Sequence, residues 1–522
     1  MKVTFYPYQH PGERPKTDKA VWTWHKVLFD STTNLLDEAG KAMATPTGKL
    51  ALGVFSPIEF FHEPPLRRHI VPFRQGMVLE VELTPNDKMR TEHLDKSVHP
   101  SWIAEVIHTV GYYSLLRWCG AKKSDGVFWV HTANAAVHPV GFSCAYRRAD
   151  RSSGYAAIPP NIIFDNHSTD EWCKYAKERV LGKFTPKESF DDRAKEICFN
   201  KFKVGDRVET IDDDQSSIIA PATVKRILGR RVLLEYSKND IDKADHMEKE
   251  NMWKDMNDDL IYPVGFAATM GLEMKANKKY KAHVKAIADA IKEGKSEVPY
   301  AKNDARKEKV YQWRKNEKQT AEWEVDMVCE MIDRLDECQN VLKAARVIKV
   351  LPDGFLQLGP DGADIISDSF HVHQTSPNLF PVGYAMEYSI ALQGPKGDNE
   401  EVFDWKSFLK RTNYKPAPEN FFHCATACNV AFKVGMRMEA IDQNEKMLCP
   451  ATVKAIKGRL VLVGFDGWDD EYDQLYDFRS NELLPCGWGE MVGHALQAPV
   501  KTAVEEGKVL QAEEVSGDDS DE

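Results

Sequence analysis

Four segments of the chain contain paired runs of β-forming residues separated by a short turn. They read SWIAEVIHTVGYYSLLRW from position 101, APATVKRILGRRVLLEY from 220, KAARVIKVLPDGFLQL from 343 and CPATVKAIKGRLVLVGF from 449. Runs of β-branched and aromatic residues around a glycine-containing or polar turn are typical of β-hairpins. The pattern therefore predicts four hairpins at widely spaced places in the chain.

Two further elements recur with each hairpin. A strand pattern comes before it: FRQGMVLEVEL at 73, FKVGDRVETID at 202, WEVDMVCEMID at 323 and FKVGMRMEAID at 432. A proline–glycine phrase follows it: HPVGF at 138, YPVGF at 262, FPVGY at 380 and LPCGW at 484. Because the spacing between copies is that of domains, the recurrence predicts four units, each a small, strongly bent antiparallel barrel.

A tryptophan-containing, more helical or irregular stretch precedes each barrel, and we expect these arms to pack their indoles on a neighbouring barrel. Their tryptophans are Trp22 and Trp24, Trp172, Trp313, and Trp405. The predicted boundaries are 1–155, 156–275, 276–398 and 399–500, followed by an acidic, disordered tail at 501–522. The third unit begins with a basic helical arm.

Residues 463–473, VGFDGWDDEYD, break the alternation of the fourth hairpin. Phe465, Trp468 and Tyr472 lie there among acids, whereas a half-buried strand places rings and charges on opposite faces. The acids are Asp466, Asp469, Asp470, Glu471 and Asp473. The run predicts an acidic loop that carries aromatic side chains; rings of an ordinary barrel core are the alternative.

The segments FKVGMRMEAID, CPATVKAIKGRLVLVGFDGWDDEYD and LPCGWGEMVGHALQAP together resemble an MBT (malignant brain tumour) repeat. The other three units resemble diverged copies, so the resemblance covers about residues 20 to 500. It implies a mainly β fold with helical arms: four MBT repeats, each a small Tudor-like (SH3-like) β-barrel core plus an extended or helical arm that packs on a neighbour. With no recognisable zinc finger or SAM domain, the chain resembles the nematode-like four-repeat type.

By the family pattern, Phe465, Trp468 and Tyr472 resemble the walls of an aromatic cage for methylated lysine. Asp442 resembles the carboxylate at its floor, and Cys449 a residue that lines the pocket beside it. The predicted methyl-lysine-binding residues are therefore Asp442, Cys449, Phe465, Trp468 and Tyr472, with Asn444 as a further candidate in a loop one residue shorter than the family's.

The chemistry of a methylated ammonium fits these residue types. The cation keeps its charge, gains apolar surface and is attracted to the faces of aromatic rings. One carboxylate can accept the N–H that a mono- or dimethyl form retains, whereas a trimethyl form has none to donate. The outer acids of the loop are expected to attract a basic tail, or to form an ordinary solvated face.

The same offsets in the other units predict incomplete cages. The second unit keeps Asp212 and places Tyr236 and Asn239 at the first two ring positions. The third unit keeps Asp333 and has Pro360, Ala363 and Ser367 at the three ring positions. The first unit has Leu83 in place of the acid and Trp118 at the first ring position, and its Phe128 and Trp129 are candidates for an unrelated surface. One working pocket is therefore predicted on a four-unit scaffold.

Composition and charge narrow the choice of partner. The formal net charge of −11 disfavours general binding of polyanions, although residues 275–318 are rich in lysine and predict either a solvated helix or a nonspecific contact with DNA. Scattered cysteines suit a reduced compartment, and His423, Cys424 and Cys428 form only a weak zinc motif. No apolar run predicts a membrane span, so a soluble intracellular chain is expected. Neither a cofactor nor a metal is predicted.

The leading functional prediction is a non-enzymatic reader of methylated lysine on histone tails that acts in transcriptional repression in the nucleus, on chromatin. The resemblance suggests the di- or trimethylated lysine at position nine of histone H3 as its ligand, and repressor complex proteins as further partners. The alternative is a scaffold that binds partner proteins through its degenerate units, with weak binding of lower methylation states such as those on histone H4. An enzyme is disfavoured, because no phosphate loop, nucleophile elbow or metal cluster is found.

Overall fold

The structure is a computed structural model of the 522-residue chain. It describes residues 24, 28, 55–83, 98–121, 126–145, 154–157, 160, 181–190, 193–212, 215–242, 251–311, 321–336, 339–362, 364–395, 403–422 and 430–499. Four sheets follow one another along the described chain, and the five main strands of each pair antiparallel. The predicted mainly β fold of four barrel units with arms is confirmed.

The strands of the first two sheets carry the first and second copies of the repeated motifs. In the first sheet they are β1 (Val78–Glu82), β2 (Val98–Val110), β3 (Tyr113–Trp118), β4 (Val127–His131), β5 (Val137–His138) and β6 (Gly154–Ala157). In the second sheet they are β7 (Arg207–Ile211), β8 (Ile219–Leu228), β9 (Arg231–Tyr236), β10 (Met252–Asp255) and β11 (Ile261–Tyr262).

The third and fourth sheets repeat this arrangement. The third contains β12 (Met327–Met331), β13 (Val341–Val350), β14 (Phe355–Pro360), β15 (Phe370–His373), β16 (Leu379–Phe380), β17 (Ala391–Gln393) and β18 (Lys415–Pro416). The fourth contains β19 (Arg437–Ile441), β20 (Leu448–Lys457), β21 (Leu460–Phe465), β22 (Gln474–Asp477) and β23 (Leu483–Leu484). In every sheet the first strand of the unit lies between its long second strand and its two-residue fifth strand.

The described helices are mostly short. They are α1 (Arg67–Ile70), α2 (Phe142–Ala145), α3 (Arg193–Ile197), α4 (Phe266–Met270), α5 (Lys278–Lys292), α6 (Lys307–Val310), α7 (Ile365–Asp368), α8 (Tyr384–Glu387), α9 (Trp405–Thr412) and α10 (Trp488–Val492). Single 3-10 turns occur at Ile58–Phe60, Lys187–Ser189, Pro352–Gly354, Glu419–Phe421 and Asp470–Tyr472. Among the described residues, no helix is long and apolar enough to cross a bilayer.

A buried glutamate explains why the first-strand motif and the proline–glycine phrase recur together. Its carboxylate accepts from two backbone N–H groups at the start of the short helix that follows the phrase: that of the glycine just before the helix and that of the second helical residue, where N–H groups have no intrahelical partner. In the fourth unit Glu439 accepts from Gly487 N at 2.6 Å and Gly489 N at 2.8 Å. The same contacts are made by Glu80 to Gly141 and Ser143, Glu209 to Gly265 and Ala267, and Glu330 to Gly383 and Ala385.

The four units close into a ring, because each arm pairs with the barrel before it and the first arm pairs with the last barrel. Each contact is a short parallel pairing at the first residue of a barrel's first strand. The pairs are Phe184 with Val78, Asp304 with Arg207, Lys415 with Met327, and Phe55 with Arg437. Every barrel therefore receives an arm from a sequence neighbour or, at the closure, from the opposite end of the chain.

Two of the predicted arm tryptophans contact the expected neighbour. The Trp405 indole donates to Glu330 Oε1 of the third barrel at 2.8 Å, and the Arg437 guanidinium of the fourth barrel lies 5.1 Å from the Trp24 ring. Trp22, Trp172 and Trp313 lie outside the described residues, as do the cysteines of the weak zinc motif and the acidic tail. No group of potential metal ligands occurs among the residues that the structure describes.

Candidate functional site

The candidate residues come together at one end of the fourth barrel. Strand β19 ends at Ile441 and β20 begins at Leu448, while β21 ends at Phe465 and β22 begins at Gln474. Since these neighbouring strands are antiparallel, the loops 442–447 and 466–473 leave the sheet at the same end. Asp442 therefore lies on a loop next to the one that carries Trp468 and Tyr472, and Phe465 ends the strand that leads into that second loop.

Asp442 organises the first loop through one of its carboxylate oxygens. Its Oδ1 accepts hydrogen bonds from Asn444 N at 2.8 Å, Glu445 N at 3.3 Å and Gln474 Nε2 at 2.9 Å. A short acidic side chain commonly bonds its own following backbone in this way. Its Oδ2 accepts no hydrogen bond from the described part of the chain. Asn444 contributes its backbone N–H to this turn, and its side chain is exposed.

Two of the three predicted cage rings are exposed at this end. Trp468 is 37% exposed and Tyr472 is 48% exposed, and their ring centroids lie 5.5 Å apart at an interplanar angle of 71°. A turn closed by Trp468 N donating to Phe465 O, with Gly467 at φ 89°, and the 3-10 turn that ends at Tyr472 hold the two rings in place. Large rings this exposed are not core residues, so the alternative of a simple barrel core does not describe them.

Phe465 and Cys449 lie deeper. Phe465 is 5% exposed and packs in the apolar cluster of the fourth barrel together with Cys449. Burial, reinforced by the negative charges of Asp442 and Asp466, raises the pKa of the Cys449 thiol to about 12. The thiol is therefore neutral at physiological pH and forms an uncharged wall close to the Asp442 carboxylate.

The acids of this loop have different surroundings. The outer acids Asp469, Asp470, Glu471 and Asp473 were expected to surround the pocket at the surface, and this is wrong for Asp473. Asp466 pairs with Arg437 and accepts from Thr452, and Asp470 lies 2.8 Å from Lys454 Nζ. Asp473 is buried, and this burial raises its pKa. Only Asp469 and Glu471 are exposed without an ion pair to a described residue.

Strand register identifies the residue of each unit that stands at the position of Phe465. In every unit a buried alanine of the long second strand pairs with it: Ala104 with Trp118, Ala222 with Tyr236, Ala345 with Pro360 and Ala451 with Phe465. These are the residues that sequence offsets indicate. Tyr236 is buried and donates its hydroxyl to Ile211 O, while Trp118 packs on Phe128 at 4.4 Å and Trp129 is buried. The rings of the first two units therefore belong to their barrels.

In the second and third units a lysine of the same chain pairs with the residue that corresponds to Asp442. Lys343 occupies the strand position of Cys449, is buried, and lies 2.9 Å from Asp333 Oδ2. Lys275 lies 3.6 Å from Asp212 Oδ1. These acids are neutralised from within the chain, which is a second difference from the fourth unit, beyond the missing rings.

Sequence reasoning missed Gln474, whose amide contacts Asp442, and it missed the role of the buried glutamates. A signal for the glutamates was present, because Glu recurs three residues before the acid position in all four copies. Gln474 had no such signal, since its partner lies on another strand.

Comparisons with known proteins agree with this fold. Residues 206–281, 327–399 and 436–503 match the mbt repeat family. The chain is 30% identical over 471 residues to protein lin-61 of Caenorhabditis elegans, covering 86% of this chain and 74% of that protein. It is 31% identical to MBT domain-containing protein 1 of Homo sapiens, over 81% of this chain and 63% of that one.

A solved structure resembles the whole ring. The crystal structure of the four MBT repeats of Drosophila melanogaster Sfmbt, in complex with the peptide RHR (me)K VLR, has a TM-score of 0.71 and 26% identity, over 88% of this chain and 99% of that one. The chain spans only 34% of the full Polycomb protein Sfmbt of that species, to which it is 30% identical.

Fold and site together define a four-barrel protein with one aromatic and acidic site. The chain belongs to the MBT repeat family, and its recognition as a four-repeat member is confirmed. MBT repeats are reader domains, so the protein is not an enzyme.

Proposed function

We propose that the fourth unit binds a methylated lysine side chain of a histone tail. The observation that carries the proposal is the pair of exposed rings, Trp468 and Tyr472, at the end of the barrel where Asp442 keeps one carboxylate oxygen without a hydrogen bond to a described residue. The rings suit the methyl groups and the charge, and the carboxylate suits a remaining N–H. In this proposal Phe465 and Cys449 close the inner wall, and Asn444 shapes the Asp442 turn through its backbone.

The wider role follows from the relatives. We propose a chromatin-associated nuclear protein that acts in transcriptional repression, supported by the likeness to lin-61 and to the Polycomb protein Sfmbt. Repressor complex proteins would be its further partners. Degenerate units 1 to 3 would then form a rigid frame around a single reading site.

Two alternatives remain for the methylated lysine and its methylation state, and a different observation supports each. The family resemblance favours the di- or trimethylated lysine at position nine of histone H3. The peptide in the Sfmbt complex carries its lysine as (me)K, which instead favours the alternative of a lower methylation state. Mono- and dimethylated sites of histone H4 are the examples of that alternative to be tested. A panel of un-, mono-, di- and trimethylated H3 and H4 peptides, titrated against the full chain by calorimetry, separates them.

Replacing Trp468 by alanine tests the proposal directly. Loss of one ring from the cation site is expected to weaken binding of the best methylated peptide about tenfold, or about 1.4 kcal/mol. The matched control is Ile366→Ala, an exposed apolar side chain in the corresponding loop of the third unit, which should leave affinity unchanged. If Trp468→Ala binds like the unaltered chain while chromatin recruitment persists, the scaffold alternative replaces the reader.

A nonspecific contact with DNA is a second candidate function, and the structure supplies one observation in its favour. The first half of α5 exposes Lys278, Lys279, Lys281 and Lys285, whereas its buried face packs through Tyr280, Val284 and Ile287. Lysines on one solvated face suit a row of phosphates.

This candidate is tested by salt dependence. Changing the four lysines to alanine should reduce the slope of log affinity for duplex DNA against log salt by about three to four, because each phosphate contact contributes about 0.9. Peptide binding should stay unchanged. An unchanged slope would show that α5 has only a solvated face.

A further inference from the structure

Gln474 is a buried polar side chain at a position that is apolar in the other three units. It opens β22 opposite Val463, and 2% of it is exposed. Val463 lies two residues before Phe465, the residue that pairs with the buried alanine. In the other units the residue two positions before that ring position pairs with Phe128, Met252 or Phe370, which are therefore the counterparts of Gln474. Burying an amide lowers stability unless its hydrogen bonds are made. The polar residue stands only in the unit that carries the three rings.

The hydrogen bonds of Gln474 fix which way its amide points. Its Oε1 accepts from Gln443 N at 2.9 Å, and a backbone N–H can only donate. Its Nε2 therefore lies on the other side and donates to Asp442 Oδ1 at 2.9 Å. The Tyr476 hydroxyl lies 2.7 Å from Gln474 Oε1 and 2.6 Å from Ile441 O, and it donates to one of them at a time.

The two oxygens of the Asp442 carboxylate therefore differ in their hydrogen bonds. Oδ1 of Asp442 takes three donors, and no described base pairs with either oxygen, unlike Asp212 and Asp333 with their lysines. The other titratable groups that face it are Cys449 and Tyr476, both neutral because burial raises their pKa, and Asp466, which pairs with Arg437. Oδ2 is the oxygen left for a ligand.

We infer that Gln474 is a positioning residue that sets the methylation-state preference of the site. Gln474 is the side-chain donor to Oδ1 and completes the set that the backbone N–H groups of Asn444 and Glu445 begin, so that Oδ2 is fixed toward an incoming N–H. Monomethyl- and dimethyllysine possess such an N–H, and trimethyllysine lacks it. A carboxylate free to rotate would attract all three cations through charge alone, without this geometric selection. The inference rests on the proposed binding of methyl-lysine by the fourth unit.

The test compares forms of one peptide, RHRKVLR with either two or three methyl groups on its lysine, in their binding to the full chain. Gln474→Met keeps the volume, copies Met252 of the second unit, and removes the donor. The dimethyl-to-trimethyl affinity ratio is expected to fall about fivefold, with trimethyl affinity within about twofold of the unaltered chain. Met252→Leu is the matched control and should leave the ratio unchanged.

Gln474→Glu makes the dimethyl-to-trimethyl affinity ratio depend on pH, and a purely structural role of Gln474 would not produce that dependence. The glutamate still accepts from Gln443 N, but when ionised it repels Asp442, and when protonated it donates to Oδ1 as the amide does. The ratio should be low at pH 8.5 and recover at pH 5.5 in this variant, while the unaltered chain keeps a constant ratio. Because one variant is compared with itself, a folding defect cannot imitate this result.

The outcomes separate the two proposals. If Gln474→Met and Gln474→Glu both keep the unaltered ratio at every pH while Trp468→Ala weakens binding, Gln474 only packs the barrel and the inference is wrong. If no methylated peptide binds the unaltered chain, or Trp468→Ala binds normally, the proposed reading site is wrong and the inference is lost with it.

Discussion

At the scale of single residues, the site depends on which of its polar atoms already have a hydrogen-bond or ion-pair partner within the protein. Trp468 and Tyr472 are exposed, and Asp442 has one engaged and one open oxygen. In the degenerate units the corresponding acids are paired with Lys275 and Lys343. The fourth unit therefore differs from the second and third in a few side chains at corresponding strand and loop positions.

His371 of β15 gives a residue-scale prediction for acid stability. It is 0% exposed, neither ring nitrogen has a described partner, and burial, together with the charge of Lys349, lowers its pKa to about 4. Unfolded histidine titrates near 6.5, so between about pH 6.5 and 4 the unfolded chain binds a proton that the folded chain does not. The free energy of unfolding should therefore be highest above this window and should fall as the pH drops through it.

His371→Leu is expected to remove that loss. Chemical denaturation at pH 7 and pH 4.5 should show a decrease between the two pH values that is about 2 kcal/mol smaller in the variant than in the unaltered chain. Equal decreases in both chains would mean that His371 is protonated in the folded protein.

At the scale of elements, each unit is held by a contact between its first strand and its last helix. Glu439 of β19 accepts two N–H groups at the start of α10 through separate oxygens. The arrangement recurs in all four units, which accounts for the constant glutamate and the constant proline–glycine phrase. Positive φ at Gly487, 91°, turns the chain into the helix there, and a Cβ at this position would lie 2.8 Å from a ring carbon of Tyr113.

Glu439→Gln should destabilise the fourth unit. The amide keeps one acceptor oxygen but sets an NH₂ donor against a backbone N–H, which leaves a buried donor without a partner and costs about 1 to 3 kcal/mol. Thermal unfolding of the full chain measures the loss, with the exposed Glu445→Gln as control. A shift no larger than that of the control would contradict the assigned role.

At the scale of the whole molecule, ion pairs between units add to the closure of the ring. Arg334 of the third unit donates to Asp258 of the second at 3.1 Å and to Glu482 of the fourth at 3.0 Å. These residues line a central cavity of about 360 Å³ to which all four units contribute. Although burial opposes it, the charges of Arg334 and Lys254 hold the pKa of Asp258 well below its usual range.

Arg334→Met is expected to weaken the whole ring. It leaves the buried Asp258 and the partly buried Glu482 without their shared cation, which is expected to cost about 3 kcal/mol, the lower end for a buried pair. Lys454→Met removes the exposed pair with Asp470 instead and should cost less than about 1 kcal/mol. Denaturant titrations of both variants, followed by tryptophan fluorescence, make the comparison; equal losses would mean that Arg334 does not join the units.

The sequence by itself determined the strands, the hairpins, the four-unit repeat and the ring positions, down to Trp118, Tyr236, Pro360 and Phe465. These follow from local information: residue periodicity, turn chemistry and equal offsets in repeated copies. The exposure of Trp468 and Tyr472 also followed from a run that does not alternate.

Only the tertiary structure decided which side chains meet. The closure of the first arm on the fourth barrel, the pairing of Lys343 with Asp333, the burial of Asp473 and the contact of Gln474 with Asp442 join residues on different strands or units. Whether an acid is open or neutralised depends on the partner that folding brings within a few ångströms, and no periodicity in the chain records that partner.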